Sequence, residues 1–170
     1  PNNDERMIFY CKGVIETVRK LGWAPDIIHC QGWFSSLIPM YIKKVYSEEP
    51  LFDNVKVIYS IFNNSFKGIL SDSLPQKLLF EKIEKSDVSS IQKSNITNLH
   101  KFAIDYSDAV VLASPDIDKN ILDYVNSSKK PFMQYPGKED YVDAYESFYD
   151  QFIEKEEIIK EKGEPTLIEN

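Results

Sequence analysis

The chain has 170 residues, 42% of them hydrophobic and 13% aromatic, with 27 acidic against 20 basic side chains for a net charge of -7. That is apolar material for one core, and the wrong sign of charge for a protein that grips nucleic-acid phosphates or an anionic bilayer surface. No apolar run is long enough to span a bilayer, and no signal peptide is read at the start. The two cysteines, Cys11 and Cys30, form neither a CxxC pair nor a disulfide framework, so a reducing cytoplasm is the expected home. His29 and His100 lack partners at zinc-ligand spacing. No metal and no cofactor is expected.

In chain order, residues 5–21 carry Met7, Ile8, Cys11, Val14, Ile15, Val18 and Leu21 at helical spacing, and Gly22 supplies the stop. Residues 26–30 are a short apolar run that reads as a buried strand. Gln31, Gly32 and Trp33 are its turn, and a helix over about 35–46 follows, with Pro39 near its first turn. Residues 56–62 predict a second strand, followed by a polar loop from Asn63 to Gly68. Residues 75–106 read as mostly helical, in three pieces broken near Ser86 and Ser94. A third strand is expected over 109–113, a helix over 117–125 and a fourth strand over 132–135. The last helix begins near Glu139, and its face of Tyr141, Tyr145, Phe148, Tyr149 and Phe152 reads as core. Beyond about Ile153 the chain is rich in Glu and Lys. The expected division is a domain over residues 1–153 and a charged, loose extension over 154–170.

Helices alternating with short apolar strands predict an α/β fold: a Rossmann-like parallel sheet with helices on both faces. Ligands of such sheets bind beyond the carboxyl ends of the strands. The residues of interest are therefore Gln31 to Trp33, Asn63 to Gly68, Ser114-Pro115 and Tyr135 to Gly137. With 6 glycines in all, neither a GxGxxG nor a Walker-type phosphate loop is present. A doubly wound domain usually opens with a strand, whereas this chain opens with Pro1-Asn2-Asn3-Asp4 and a helix. Either it is a piece of a longer protein or its sheet lacks the usual first strands.

Three ordered blocks carry a family resemblance. The first is Trp23-Ala24-Pro25-Asp26-Ile27-Ile28-His29-Cys30-Gln31-Gly32-Trp33 followed by Leu37-Ile38-Pro39-Met40-Tyr41. It resembles the W-x-P-D-[IV]-[IV]-H-x-H-[DG]-W and L-x-P-x-Y of bacterial glycogen synthases and plant starch synthases. Tyr59 to Asn64 with Phe66-Lys67-Gly68 resembles that family's T-I-H-N-x-x-[YF]-Q-G. Asn98 to Lys101, Asp105 to Val110 and Ala113-Ser114-Pro115 resemble its N-x-x-K, [YA]-[SA]-D-x-[IV] and V-S-P. The Cys30 to Trp33 wording is similar to a short Bacteroidetes-type variant that keeps only the first of two domains. The resemblance implies the amino-terminal, acceptor-side domain of a retaining glucosyltransferase. That enzyme moves glucose, without a metal, from ADP-glucose to the 4-hydroxyl of an α-1,4-glucan. It also implies a cleft lined by Gln31, Gly32, Trp33, Asn63, Asn98 and Lys101.

The chain departs from the family at chemically costly places. Gln31 stands where the family has His; it can hydrogen-bond a sugar hydroxyl but cannot hold a positive charge. Phe62 replaces the His of T-I-H-N, and the family's K-x-G-G-L loop and second domain are not in the sequence. The only arginines, Arg6 and Arg19, lie on the first helix, so none is placed to clamp a diphosphate. No catalytic residue is assigned. Two function classes stay open: one half of a glucosyltransferase that needs a partner subunit, or a non-catalytic glucan-binding or regulatory protein derived from it. A self-associating structural role is a third. Plain packing or capping roles compete at each candidate: Trp33 as packing of the turn, His29 as a hydrogen-bonded core histidine, Asn63 as a turn residue and Lys101 as a solvated cation.

Overall fold

Four strands line up in the order in which the chain makes them. They are β1 (Ile27–Gln31), β2 (Lys56–Ile61), β3 (Ala109–Leu112) and β4 (Phe132–Met133), all parallel, in spatial order β1-β2-β3-β4. The computed structural model describes residues 2–63, 70–80 and 82–163, with side chains as far as residue 153. Two compact units are distinguished, residues 1–135 and 136–170. The expected parallel α/β sheet is thus present in the first unit. Residues 64–69, which contain the Phe66-Lys67-Gly68 part of the family pattern, and the tail beyond residue 163 lie outside the described residues.

The sheet centre is buried on both faces. On β2, Val57, Tyr59 and Ile61 point into the main core, while Ile58 and Ser60 on the opposite face are equally buried. Such double burial is why β2 and β3 read as continuous apolar runs and not as alternating ones. Register follows from Ile58 opposite Ala109 and Cys30 opposite Tyr59.

Helix α1 (Asn3–Leu21) buries Met7, Cys11 and Ile15, four residues apart on one stripe. It ends at Gly22, whose φ of 64° is the left-handed conformation that L side chains resist, with its N–H donating to Arg19 O. The segment read as one helix over 35–46 is broken up. A 3-10 turn (Trp33–Ser35) leads into a single α turn, α2 (Ile38–Met40), and then a π turn (Tyr41–Val45). Pro39 sits in the first turn of α2, where its missing N–H costs least, and the wider turn after it closes through Tyr46 N–H to Tyr41 O. Between residues 75 and 106 only α3 (Leu74–Leu78), a 3-10 turn (Ser89–Ile91) and α4 (Ile96–Tyr106) are helical. Polar side chains there take over backbone groups: Asp87 accepts from Glu84 N–H, and Ser94 Oγ donates to Ile91 O. Helix α5 (Lys119–Ser128) starts at Asp118, whose carboxylate accepts from Asn120 N–H.

Helices α2, α4 and α5 pack side by side, with α4 also on β2. The α4–α5 seam carries Tyr124 donating to Asp105 Oδ1 at 2.6 Å. Lys130 donates to the carbonyls of Ile104, Asp105 and Ser107 at the end of α4. At the start of the sheet, Asp108 Oδ2 accepts from Val57 N–H and from Lys43 Nζ, both at 2.7 Å.

The second unit is helix α6 (Tyr141–Gly163) and the turn before it. Its rings meet edge-to-face along the helix, Tyr141 with Tyr145, Tyr145 with Tyr149 and Phe148 with Phe152. On the face expected to be core, Phe148 is buried and Tyr141 is 53% exposed.

Candidate functional site

The carboxyl ends of the four parallel strands lie along one edge of the sheet, and the site is built there. Gln31 is the last residue of β1 and is exposed, opposite Ser60 of β2. Gly32 follows at φ 71° and ψ 173°, a conformation open in practice only to glycine. It allows the chain to leave the strand and turn at once: Gly32 O accepts from both the N–H and the Oγ of Ser35. Trp33 opens the 3-10 turn, half-buried, with its ring edge-on to Phe34 at 5.2 Å; Phe34 in turn meets Tyr10 of α1 at 5.2 Å. Trp33 is therefore held in an aromatic cluster at the end of β1.

Asn63 is exposed just after β2, and its N–H donates to Ser114 Oγ at 3.0 Å, tying the ends of β2 and β3 together. Beside this bond opens a cavity of about 480 Å³ lined by residues from β3 to β4. Leu112, Ile117 and Leu122 make its apolar side, and Tyr135 contributes a ring. Asn63, Ser114, Asp116, Asp118 and Gln134 supply the polar groups. The volume falls within the roughly 300–1,000 Å³ usual for small-molecule sites.

Of the residues singled out from the sequence, Gln31, Gly32 and Trp33 lie together at the end of β1, and Asn63 lines the cavity beyond β2 and β3. Asn98 and Lys101 are occupied within the helical layer. Asn98 Nδ2 donates to Lys93 O, and its N–H is capped by Asn95 Oδ1. The Lys101 ammonium sits 5.1 Å from the centre of the Tyr124 ring. Neither lines the cavity. Asp116, Asp118 and Gln134 were not singled out, although the strand-end rule that flagged Ser114 and Tyr135 ran through the same turns.

Both histidines bond to side chains of β2, His29 from β1 and His100 from α4. His29 Nε2 lies 2.6 Å from Ser60 Oγ on the neighbouring strand, and burial pulls its pKa down to about 4. His100 Nδ1 is 2.8 Å from the Tyr59 hydroxyl, and burial again lowers its pKa to about 4. Burial pushes the Cys11 thiol up to about 12 and the Cys30 thiol higher still, so both are inert hydrophobes and not nucleophiles. Among the described residues no three His, Cys, Asp or Glu side chains are grouped to hold a metal ion, and no helix is long and apolar enough to cross a membrane.

A parallel α/β domain with polar and acidic groups at its carboxyl edge serves many ligand classes, so the fold alone names none. Comparison with known proteins makes the assignment specific. The model of the starch synthase catalytic domain matches residues 1–130. The glycogen synthase of Clostridium perfringens is 33% identical over 120 residues, covering 71% of this chain and 25% of that protein. The glycogen synthase of Chlorobium limicola is 42% identical over 84 residues, covering 49% of this chain and 17% of the relative. Among solved structures, the catalytic domain of starch synthase IV from Arabidopsis thaliana, bound to ADP and acarbose, superposes with a TM-score of 0.61 at 22% identity, over 79% of this chain and 30% of that one. The chain belongs to the glycogen synthase and starch synthase catalytic-domain family. It spans a quarter or less of the length of these curated relatives.

Proposed function

We propose that this chain carries the acceptor side of a glucosyltransferase that moves glucose from ADP-glucose to the 4-hydroxyl of an α-1,4-glucan. One observation carries the reading. The family's most specific sequence block, Trp23 to Trp33, runs along β1 and delivers Gln31, Gly32 and Trp33 to the carboxyl edge where ligands of parallel sheets bind. The family membership gives the reaction class, and the chemistry of the edge agrees with the acceptor half of it. Gln31 and Asn63 each offer an amide that donates and accepts, which suits a hydroxyl.

The donor half needs more than the edge supplies. Departure of ADP and development of an oxocarbenium-like sugar both require positive charge held against the diphosphate. Arg19 is engaged by Glu16 at 2.9 Å and Glu49 at 3.5 Å, and Lys77 is shared by Asp4 and Glu5, both at 2.7 Å. In this reading the donor clamp comes from groups outside the edge described here, in the assembled cytoplasmic enzyme. The test is affinity electrophoresis of the full chain in gels with and without glycogen. Retardation that grows with glycogen concentration, and is competed by maltoheptaose, is the expected result. Equal mobility in both gels would overturn the acceptor assignment.

A further inference from the structure

Ser60 grips the turn at the end of β1 from two sides. It is the residue of β2 opposite Gln31. Its Oγ lies 2.6 Å from Nε2 of His29, two residues before Gln31. Its carbonyl accepts at 3.0 Å from the N–H of Gly32, the residue just after Gln31. The exposed Gln31 is thus bracketed by two contacts to one wholly buried residue.

A hydroxyl this close to an imidazole first suggests a nucleophile and its base. Burial excludes that use. Ser60 is 0% exposed, so no substrate atom reaches its Oγ. The pair acts only through what it holds, and the turn needs holding for two reasons. Among the described residues β1 pairs with β2 alone, so its ladder bonds come from one side, and the end of such a strand opens readily. Gly32 then adds a backbone with more conformational freedom than any other residue has. A turn free to rotate at that point would carry Gln31 and Trp33 out of their common place at the edge. His29 and Gln31 alternate onto the same side of β1, opposite to Cys30, which faces the main core. The contact between His29 and Ser60 therefore fixes β1 against β2 on the very face from which the Gln31 amide projects.

We propose that Ser60 and His29 are positioning residues for the acceptor. Their contact keeps Gln31, Gly32 and Trp33 in the geometry that meets a glucan hydroxyl, and it acts through the backbone of the turn. This rests on the acceptor-side reading above.

The test joins two readouts on the full chain, titration with maltoheptaose and amide exchange followed residue by residue by NMR. The variants are Ser60→Ala and His29→Leu, which each remove the contact, and Ser60→Thr, which keeps the hydroxyl. Ser60→Ala is the smaller change and keeps the test decisive should His29→Leu fail to fold. The expected result is maltoheptaose affinity about tenfold weaker than the parent's in Ser60→Ala and His29→Leu, and within about twofold of it in Ser60→Thr, the scale of one buried hydrogen bond lost or kept. In Ser60→Ala the Gly32 N–H should exchange about tenfold faster. The Lys56 N–H, bonded to Asp26 O at the other end of β1, should keep its parent rate. Parent affinity in Ser60→Ala would overturn the positioning role and leave the acceptor reading standing. So would faster exchange shared equally by Gly32 and Lys56, the mark of a general loosening, and so would a Ser60→Thr chain as weak as Ser60→Ala. A parent chain that binds no maltoheptaose would overturn the acceptor reading and the positioning role with it.

Discussion

His100 shows how one side chain couples the core to pH. It is 1% exposed in the helical layer, and its Nδ1 faces the hydroxyl of the wholly buried Tyr59 on β2. Burial drives the Tyr59 pKa well up, so the phenol keeps its proton. The imidazole is neutral, and its tautomer sets which of the two groups donates. Protonating the imidazole would place a charge in the core, which is why burial holds the ring's pKa near 4 against an ordinary 6.5. The folded state therefore binds fewer protons than the unfolded chain between those values, and stability rises with pH across the interval. It is fully present above about pH 6.5, falls as the pH drops toward 4, and has levelled off for this group below that. His29, bonded to Ser60 and likewise held near 4, adds a drop in the same window. Urea midpoints measured from pH 4 to pH 7 should rise with pH, and His100→Gln should lower the midpoint at pH 7 and flatten the slope. An equal slope in the variant would remove His100 from the account.

At the scale of elements, helix ends carry as much information as helix faces. Helix α4 ends where the chain must enter β3, and its last carbonyls have no helical partners. Ser107 Oγ donates to Ala103 O at 2.7 Å, and the ammonium of Lys130 gathers the carbonyls of Ile104, Asp105 and Ser107 within 2.7 Å. Lys130 comes from the turn before β4, so one cation fixes α4, β3 and β4 together and sits at the negative end of the helix dipole. Lys130→Met keeps the stem and removes the donors. It should cost about 2 kcal/mol in urea unfolding, the scale of hydrogen bonds to a charged group; a loss below about 0.5 kcal/mol would show that water replaces the ammonium without penalty. None of this was legible in the sequence, where Lys130 is one of two adjacent lysines before a proline. What was legible is whatever depends on periodicity. The α1 stripe, its stop at Gly22, the apolar runs of β1 to β3 and the start of α5 after Ser114-Pro115 all fall within a few residues of their expected places. The helix expected over 35–46 changes from an α to a π turn at Tyr41, because periodicity cannot distinguish the two turns with the same buried side chains. The helical stretch expected over 75–106 failed where Ser and Asp side chains bond the backbone locally. The site divided along the same line. Strand-end residues such as Gln31 and Asn63 are placed by topology, whereas Asn98 and Lys101 are drawn into contacts with Lys93 and Tyr124 that only packing decides.

For the whole molecule the deciding quantity is charge. A net charge of -7 on 170 residues surrounds the sheet edge with a repulsive field for ADP-glucose and an indifferent one for a neutral glucan. The two ligands should therefore respond oppositely to salt. Raising the ionic strength from about 0.1 M to about 1 M shortens the Debye length from about 10 Å to about 3 Å, which screens exposed charges but leaves hydroxyl hydrogen bonds and ring packing almost untouched. The dissociation constant for maltoheptaose should stay within about twofold over that range, since no charge on the ligand is screened. Any residual affinity for ADP-glucose should increase, because what salt removes is repulsion. Titrations at the two salt concentrations separate the alternatives cleanly. A maltoheptaose affinity that collapses with salt would mean that recognition runs through charged groups and not through hydroxyl hydrogen bonds and ring packing. An ADP-glucose affinity that is already micromolar at low salt and falls on adding salt would mean that the lysines of this chain assemble a cationic clamp. In that case the donor half of the reaction would also be housed in these residues.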